Sequence, residues 1–362
     1  MLAYLKEVIE KSQNGLISYA DYIGMALYHP VDGYYMRDSE KIGRSGDFIT
    51  SSNVSDIFGG IFSKWFARLV EVHGLVPAVC EIGGGNGRFA KAFIEEWKNH
   101  SNENLAYTII EASPFHQKLQ RETLDGFSGF SQAVGIDSIR QFKGLVFSNE
   151  LFDALPVHVV ENHQGTLMEA MVGIAGGRLY EKLVPLENAK IYSFLEDNGF
   201  ALKEGQRIEV PLAMEEMVKA ISIALDEGIV ATVDYGYTTE EWMMPERRSG
   251  SLRGYKNHQM MDDILENPGT MDITSHIHFD ALAKAGENNG LETLLKLRQD
   301  EFLLSAGILA ELEEHYDPNP FSERSRRNRA IRSLVLPSGM SPSFHVLIQQ
   351  KGRKLNSGSI FP

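Results

Sequence analysis

From about Val54 to His73, the residues Ile57, Phe58, Ile61, Phe62, Trp65, Phe66 and Leu69 recur at intervals of three and four. That period predicts a helix with one broad apolar face, and its aromatics are expected in a core rather than around a ligand. A different rhythm follows. Val79-Cys80-Glu81-Ile82 is a short, mostly apolar run that breaks into Gly83-Gly84-Gly85-Asn86-Gly87, after which Phe89, Phe93, Ile94 and Trp97 return to helical spacing. Buried strand, tight turn and helix are predicted in that order.

The alternation continues. Tyr107-Thr108-Ile109-Ile110-Glu111 reads as a second strand ending in an acid, and Ser113-Pro114 starts a helix through Phe115 and Leu119. Leu145 to Glu150 is another buried strand, and Gly228 to Tyr237 the last clear parallel-type one. Between them, 157–182 alternates as antiparallel strands with turns at Gly165 and Gly176-Gly177. The stretch 240–274 is polar and turn-rich and reads as an ordered lid; 275–315 reads as helix. Ile331–Leu336 and Ser343–Gln349, separated by Pro337-Ser338-Gly339, read as a C-terminal β-hairpin closing the sheet edge.

The expected architecture is α/β, a Rossmann-like, mostly parallel sheet with ligands at the carboxyl ends of its strands. Four regions are expected: an N-terminal helical cap and loop (1–75), an α/β core (76–236) with the small antiparallel insertion, a lid and helical insertion (237–320), and the hairpin with a frayed tail (321–362).

Composition narrows the chemistry. With 362 residues and 43% hydrophobic positions a large core is affordable. A formal charge of −14 argues against a nucleic-acid backbone as main partner. The single cysteine, Cys80, excludes an internal disulfide or multi-cysteine zinc site, and its place in a strand suggests a small core hydrophobe. His258, His276 and His278 lack metal-ligand spacing, so no metal is expected. The first eighteen residues read as an acid-containing amphipathic helix, neither signal peptide nor organelle presequence, and no run reaches membrane-spanning length. A cytoplasmic location is expected, and a homodimer is suggested by the exposed-looking hairpin and helices.

The glycine spacing then selects a ligand. Started at Gly83 or Gly84, G-x-G-x-x-G meets Arg88 or Asn86 where a glycine is required, so dinucleotide redox chemistry is disfavoured. No Gly-Lys-Ser/Thr follows, which disfavours a P-loop. An acid followed by Gly83, Gly85 and Gly87 looks like the first motif of S-adenosylmethionine (SAM) methyltransferases. Glu111 is placed to accept hydrogen bonds from a ribose diol. Glu81 could bond to the turn N–H groups or lie near a cationic part of the cofactor; Asp234 could line the cavity or only cap its turn. For a guanidinium acceptor, Glu150, Asp153 and Asp47 are the candidate carboxylates, with Asp153 sharing a face with Glu150 if a helix starts there. His258, after Arg253-Gly254-Tyr255, looks like a substrate-side or lid residue.

Nearly end to end, the chain resembles the MidA-type SAM-dependent methyltransferases, whose mitochondrial members are protein arginine methyltransferases that assist assembly of respiratory complex I. The resemblance rests on an ordered set: Ala26-Leu27-Tyr28-His29-Pro30, Gly46-Asp47-Phe48-Ile49-Thr50-Ser51, the glycine motif, Glu111-Ala112-Ser113-Pro114 and Ser148-Asn149-Glu150-Leu151-Phe152-Asp153. Asp234-Tyr235-Gly236-Tyr237, Leu252-Arg253-Gly254-Tyr255 with His258, and Asp272-Ile273-Thr274 complete it. It implies a class I methyltransferase sheet with SAM as cofactor, held by Glu81, Gly83, Gly85, Gly87, Glu111 and Ala112. It further implies a loop with Gly46 and Thr50 closing over the cofactor, and Asn149-Glu150 beside the transferring methyl. Asp234, Tyr235, Arg253, Tyr255 and His258 would face the substrate, a protein side chain and arginine among the candidates. The chain departs from the family's usual proline and glutamate at Ser52 and Asn53, glutamate at Gly60, aspartate at His278 and common proline at Gly84. The missing acids favour a second reading, a SAM-binding assembly or interaction protein without useful transfer.

Overall fold

The computed structural model describes residues 1–38, 56–261, 263–312, 319, 321–336 and 344–361. The chain forms two compact units, each assembled from three separate segments. One, the sheet unit, comprises Ile49–Leu151, Lys219–Tyr235 and Gly286–Pro362; the other, the insert unit, comprises Met1–Phe48, Phe152–Val218 and Gly236–Ala285.

The sheet unit is built on strands β1 (Ala78–Ile82), β2 (Ala106–Ile110), β3 (Phe130–Ala133), β4 (Phe142–Asn149), β5 (Leu225–Tyr237), β6 (Glu292–Arg298) and β7 (Phe344–Lys351). Their order is β3-β2-β1-β4-β5-β7-β6. The first five run parallel, and β7 is antiparallel to both β5 and β6. After β1 the chain moves outward on one side to β2 and β3, then returns to β4 and β5 on the other. A crevice opens at such a reversal, beyond the carboxyl ends of β1 and β4. The glycine turn and Asn149-Glu150 follow those two strands.

Helices α1 (Asp56–His73), α2 (Arg88–His100) and α3 (Pro114–Thr123) belong to this unit. The apolar face of α1 is buried from Ile57 to Leu69, as its period requires. Phe62 meets Phe147 of β4 at 5.0 Å between centroids, and Phe89 of α2 stacks on Phe147 at 4.2 Å. Full burial of one such ring is worth about 2–3 kcal/mol, so these contacts hold the end of β4 firmly against the helix that opens the glycine turn. Helix α3 starts as expected: the Ser113 hydroxyl accepts from the His116 N–H and Pro114 occupies the first turn. Cys80 is buried, and burial pushes its thiol up to about 12.

Three expected elements differ. Ile331–Leu336 is not a hairpin strand: Glu323–Val335 is a helix, capped by Ser322 and burying Ile331 and Leu334. Those two apolar positions are three apart, a helical interval, and the intervening arginine and serine stay outside. The strand that pairs with β7 is β6, inside the stretch read as helix; Lys296 lies opposite Leu347 and Leu297 opposite Val346. The turn at Pro337-Ser338-Gly339 lies outside the described residues. The 240–274 stretch contains a three-stranded sheet, Arg253–Lys256, Gln259–Met261 and Asp272–Thr274. Its hairpin turns at Asn257 and His258, both with positive φ (50° and 61°), the backbone that a two-residue hairpin loop demands.

In the insert unit, His158–His163 pairs antiparallel with Thr166–Ala175, which pairs in turn with Arg178–Pro185. Gly165, Gly176 and Gly177 make the turns, all with positive φ. Arg207–Val210 pairs with the first of these strands and Ile17–Ser18 with the second. The unit's core gathers Leu5 and Ile9 of the N-terminal helix with Tyr22, Ile23 and Leu27 of the next. Among the described residues no helix is long and apolar enough to cross a membrane.

Candidate cofactor and methyl-transfer site

At the crevice, the backbone from 83 to 87 does what only glycine does cheaply. Gly83, Gly85 and Gly87 have φ of +74°, +50° and +80°. The turn is tied down from three sides: the Gly83 N–H donates to the Ile110 carbonyl (2.9 Å), Gln120 Nε2 donates to the Gly85 carbonyl (2.8 Å) and the Thr123 hydroxyl donates to the Asn86 carbonyl (3.1 Å). Gly84 is confined differently: a Cβ there would stand 2.7 Å from Ile109 Cγ2 and 3.3 Å from the Glu81 carboxyl. A proline at this position, common in the resembling family, would therefore require Ile109 to move. Gly87, at the N-cap of α2, has no side chain to cap it, and Asn86 Oδ1 accepts from the Arg88 N–H at 3.2 Å. The helix dipole makes this end receptive to an anionic or strongly accepting group.

Two buried acids belong to neighbouring strands, Glu81 within β1 and Glu111 just beyond β2. Glu81 is 4% exposed and accepts a hydrogen bond from the Tyr107 hydroxyl at 2.9 Å. The fold gives the Glu81 carboxylate a protein partner, the Tyr107 hydroxyl, that the sequence reading had not considered. Burial pushes the Glu81 carboxyl up to about 7, the Tyr107 bond pulling it down and the charge of Glu111 pushing it further up. Glu111 accepts from the Ser113 N–H at 2.9 Å, with Gln120 Nε2 at 3.5 Å and His116 Nδ1 at 3.8 Å from its other oxygen. Ala112 lies between Glu111 and the Ser113 cap.

At the end of β4, Asn149 donates from Nδ2 to Glu150 Oε1 at 3.0 Å, and the Glu150 N–H donates to the Val233 carbonyl at 2.9 Å. Glu150 has φ +51°, an uncommon backbone for a side-chain-bearing residue, held here by that bond to β5. Asn149 Oδ1 is buried without a hydrogen-bond partner. An orphaned acceptor beside the glycine turn suits a donor group of a ligand. Asp234, fully buried on β5, accepts from the N–H of Tyr235 at 2.8 Å; the strand runs on to Tyr237, so the turn expected just after Asp234 is not there to be capped.

SAM fits these groups. The glycine turn permits close approach, the Glu111 carboxylate suits a diol, and the orphaned Asn149 oxygen suits an N–H or O–H donor. Thus Glu81, Gly83, Gly85, Gly87, Glu111, Asn149 and Glu150 are brought together on one rim of the sheet unit. Gly46, Asp47 and Thr50 lie outside the described residues.

Asp153, Arg253, Tyr255 and His258 belong to the insert unit. No helix starts at Glu150, so Asp153 does not share a helical face with it. Residues 152–155 form a turn, with Leu155 N–H to the Phe152 carbonyl at 3.3 Å. Asp153 is buried, its carbonyl accepts from the Ser275 N–H, and its charge helps to raise Tyr35 well above the usual tyrosine range. Arg253 donates to the Leu252 carbonyl at 2.7 Å, Tyr255 pairs with Asp272 in the small sheet, and His258 is exposed in its turn. His278 is buried against Trp242 (4.4 Å, 11° between planes), with Nε2 2.8 Å from the Glu209 carbonyl. Burial pushes its imidazole down to about 3. Among the described residues no group of three or more His, Cys, Asp or Glu is arranged to hold a metal ion.

Sequence reasoning missed Tyr107, Gln120 and Glu209. An acid in the middle of a buried strand was a signal that some donor must face it. Tyr107 sits two residues along β2 from Ile109, the register partner of Glu81, and so lies diagonally on the same face.

The comparisons agree with this geometry. Residues 61–296 match a family model for S-adenosyl-L-methionine-dependent methyltransferases (Methyltransf_28). The chain is 26% identical over 363 residues to the mitochondrial protein arginine methyltransferase NDUFAF7 of Danio rerio, covering 91% of this chain and 82% of that one. For the Mus musculus protein of the same name the identity is 25%, over 99% of this chain and 86% of the other. A crystal structure of a likely methyltransferase from Burkholderia thailandensis, bound to S-adenosyl-homocysteine, superposes with TM-score 0.90 at 27% identity, covering 99% and 93% of the two chains. The strand order, the glycine turn with its paired acids and the family match together place this chain in the family of S-adenosyl-L-methionine-dependent methyltransferases.

Proposed function

We propose that this SAM-dependent methyltransferase acts on a nitrogen of a protein arginine side chain, with Glu150 as the carboxylate that orients the guanidinium. The observation that carries the reading is Glu150 itself: a half-buried acid following β4, held at φ +51° by the Val233 carbonyl and by Asn149. A pinned carboxylate accepts paired guanidinium N–H bonds and fixes the fork, which is what an orientation-limited transfer needs. When bound, SAM supplies an electrophilic methyl group on its sulfonium. The chain's part is to hold the nitrogen in line with that methyl group and to accept the proton it loses. The relatives named protein arginine methyltransferase support the same acceptor.

The departures at Gly60 and His278 do not weigh heavily against transfer. A Cβ at Gly60 would meet the Glu96 side chain of α2 at 3.6 Å, and His278 is enclosed by Trp242, Phe194 and Phe200. Both positions serve local packing. Asn53 lies outside the described residues, and it is what keeps the assembly-protein reading as the alternative.

The test is methyl transfer from labelled SAM to arginine-containing proteins of a deletion strain, with calorimetry alongside. Glu150→Gln should keep cofactor binding within about twofold and lower transfer by about 100-fold. Unchanged turnover would remove Glu150 from this role, and labelled methyl on a residue other than arginine would replace the acceptor. A homodimer and a cytoplasmic location are carried forward from the sequence as parts of this proposal, checked by light scattering and by cell fractionation.

A further inference from the structure

We propose that Tyr107 is a positioning residue for the cofactor: its hydroxyl sets the proton on the buried Glu81 carboxyl, so that binding of positively charged SAM expels that proton. Three observations carry this. Glu81 and Tyr107 are both enclosed, at 4% and 0% exposure, and joined by a 2.9 Å hydrogen bond. The carboxyl touches the floor of the glycine turn, since a Cβ on Gly84 would stand 3.3 Å from Glu81 Oε2. A second acid, Glu111, follows the adjacent strand and bears on the same carboxyl.

Among the described residues, those that bear on Glu81 include no compensating cation. From β2 come Tyr107 and, just beyond the strand, Glu111; from β1 itself comes Cys80; from β4 come Phe147 and Ser148 in register with Glu81 and Ile82; from α2 comes Phe93, edge-on to Tyr107 at 5.7 Å. His116 Nδ1 lies 3.8 Å from Glu111 Oε2, while the Ser113 N–H donates to Oε1 of the same acid. Two carboxyls in one low-dielectric rim resist ionising together, and burial already pushes Glu81 up to about 7. The Tyr107 hydroxyl opposes this by donating to the charged form. SAM carries a sulfonium and an ammonium against one carboxylate, a net charge of +1. Entering the rim, it favours the ionised acid, and the proton leaves to solvent.

The experiment is titration calorimetry of the whole chain with SAM in two buffers of different ionisation enthalpy, between pH 6 and 8. Any titration of SAM's own amino group is removed by subtracting the Glu81→Gln data. Wild type should release about half a proton per site at pH 7, more at pH 6 and about a tenth at pH 8. Apparent affinity relative to Glu81→Gln should fall about tenfold from pH 8 to pH 6. Tyr107→Phe removes only a hydroxyl from a packed ring, so it should fold, and should extend the release to pH 8. Proton release equal in wild type and Glu81→Gln, or unchanged by Tyr107→Phe at pH 8, overturns the proposal. Absence of SAM binding altogether would overturn the cofactor assignment as well, a distinct outcome.

Discussion

Gly87→Ala separates the two constraints that meet at the glycine turn. Gly87 has φ +80°, where an L side chain costs about 1 kcal/mol or more. The new Cβ would also stand 3.2 Å from Gln120 Cγ and 3.3 Å from Gln120 Cα. The Cγ could swing aside, but the Cα belongs to the backbone of α3, so relief requires that helix to move. Crowding of that kind adds about 1–2 kcal/mol. Gln120 also donates to the Gly85 carbonyl at 2.8 Å and accepts from Gln132 Nε2 at 2.7 Å. Displacing it loosens the turn itself.

Gly126 provides the control. It has the same φ of +80° and nothing within 4 Å of an added Cβ. Gly126→Ala should cost only the backbone strain, about 1 kcal/mol and roughly 2–4 °C in melting temperature, with SAM affinity unchanged. Gly87→Ala should cost about 2–3 kcal/mol and weaken SAM binding roughly tenfold, as expected if about 1.4 kcal/mol of the turn's organisation is lost. Thermal melts and calorimetry on the two variants suffice. If Gly87→Ala melts with Gly126→Ala and binds SAM like wild type, the turn is not constrained by Gln120, and the account of the site's rigidity fails.

Two further outcomes concern the insert unit. The Glu209 carboxylate accepts from the Ser251 N–H (3.0 and 3.1 Å), the Ser251 hydroxyl (2.9 Å) and the Leu252 N–H (3.2 Å), all buried or half-buried. Glu209→Ala strands these donors and should cost about 3 kcal/mol in urea unfolding, with Glu209→Gln recovering part of it; an unchanged midpoint for the alanine variant would show the clamp to be dispensable. His278 is held neutral, its imidazole pushed down to about 3 by burial, below its ordinary value in the unfolded chain. The native state therefore binds fewer protons, so this contribution is complete above about pH 6.5 and is lost as pH falls toward about 3. By pH 5 the loss should reach about 2 kcal/mol, and His278→Gln should flatten the decline in urea midpoint between pH 6.5 and 5. His276, pushed down to about 4 by burial and by Arg253 and Arg247, leaves a residual slope. Identical slopes in wild type and variant would contradict the assignment.

Features that depend on near neighbours along the chain could be read from the residues alone. The period of apolar residues on α1, the strand–glycine–helix order from Val79 to Trp97, and the serine–proline start of α3 all appear as read. Helical period, left-handed glycine turns and helix caps are decided by sterics and hydrogen bonds within a few residues, and so are legible locally. The ligand class was legible for the same reason, since glycine spacing and strand-terminal acids lie in short motifs. Features that depend on residues far apart along the chain emerged with the folded arrangement. β7 pairs with Glu292–Arg298 rather than with Ile331–Leu336, because a strand's partner is whichever edge can satisfy its backbone groups. The missing side chain of Gly60 turned out to face Glu96, and the acid in the first glycine motif to face Tyr107. A carboxyl's proton affinity depends on what surrounds it in three dimensions, and no spacing of letters along the chain contains that.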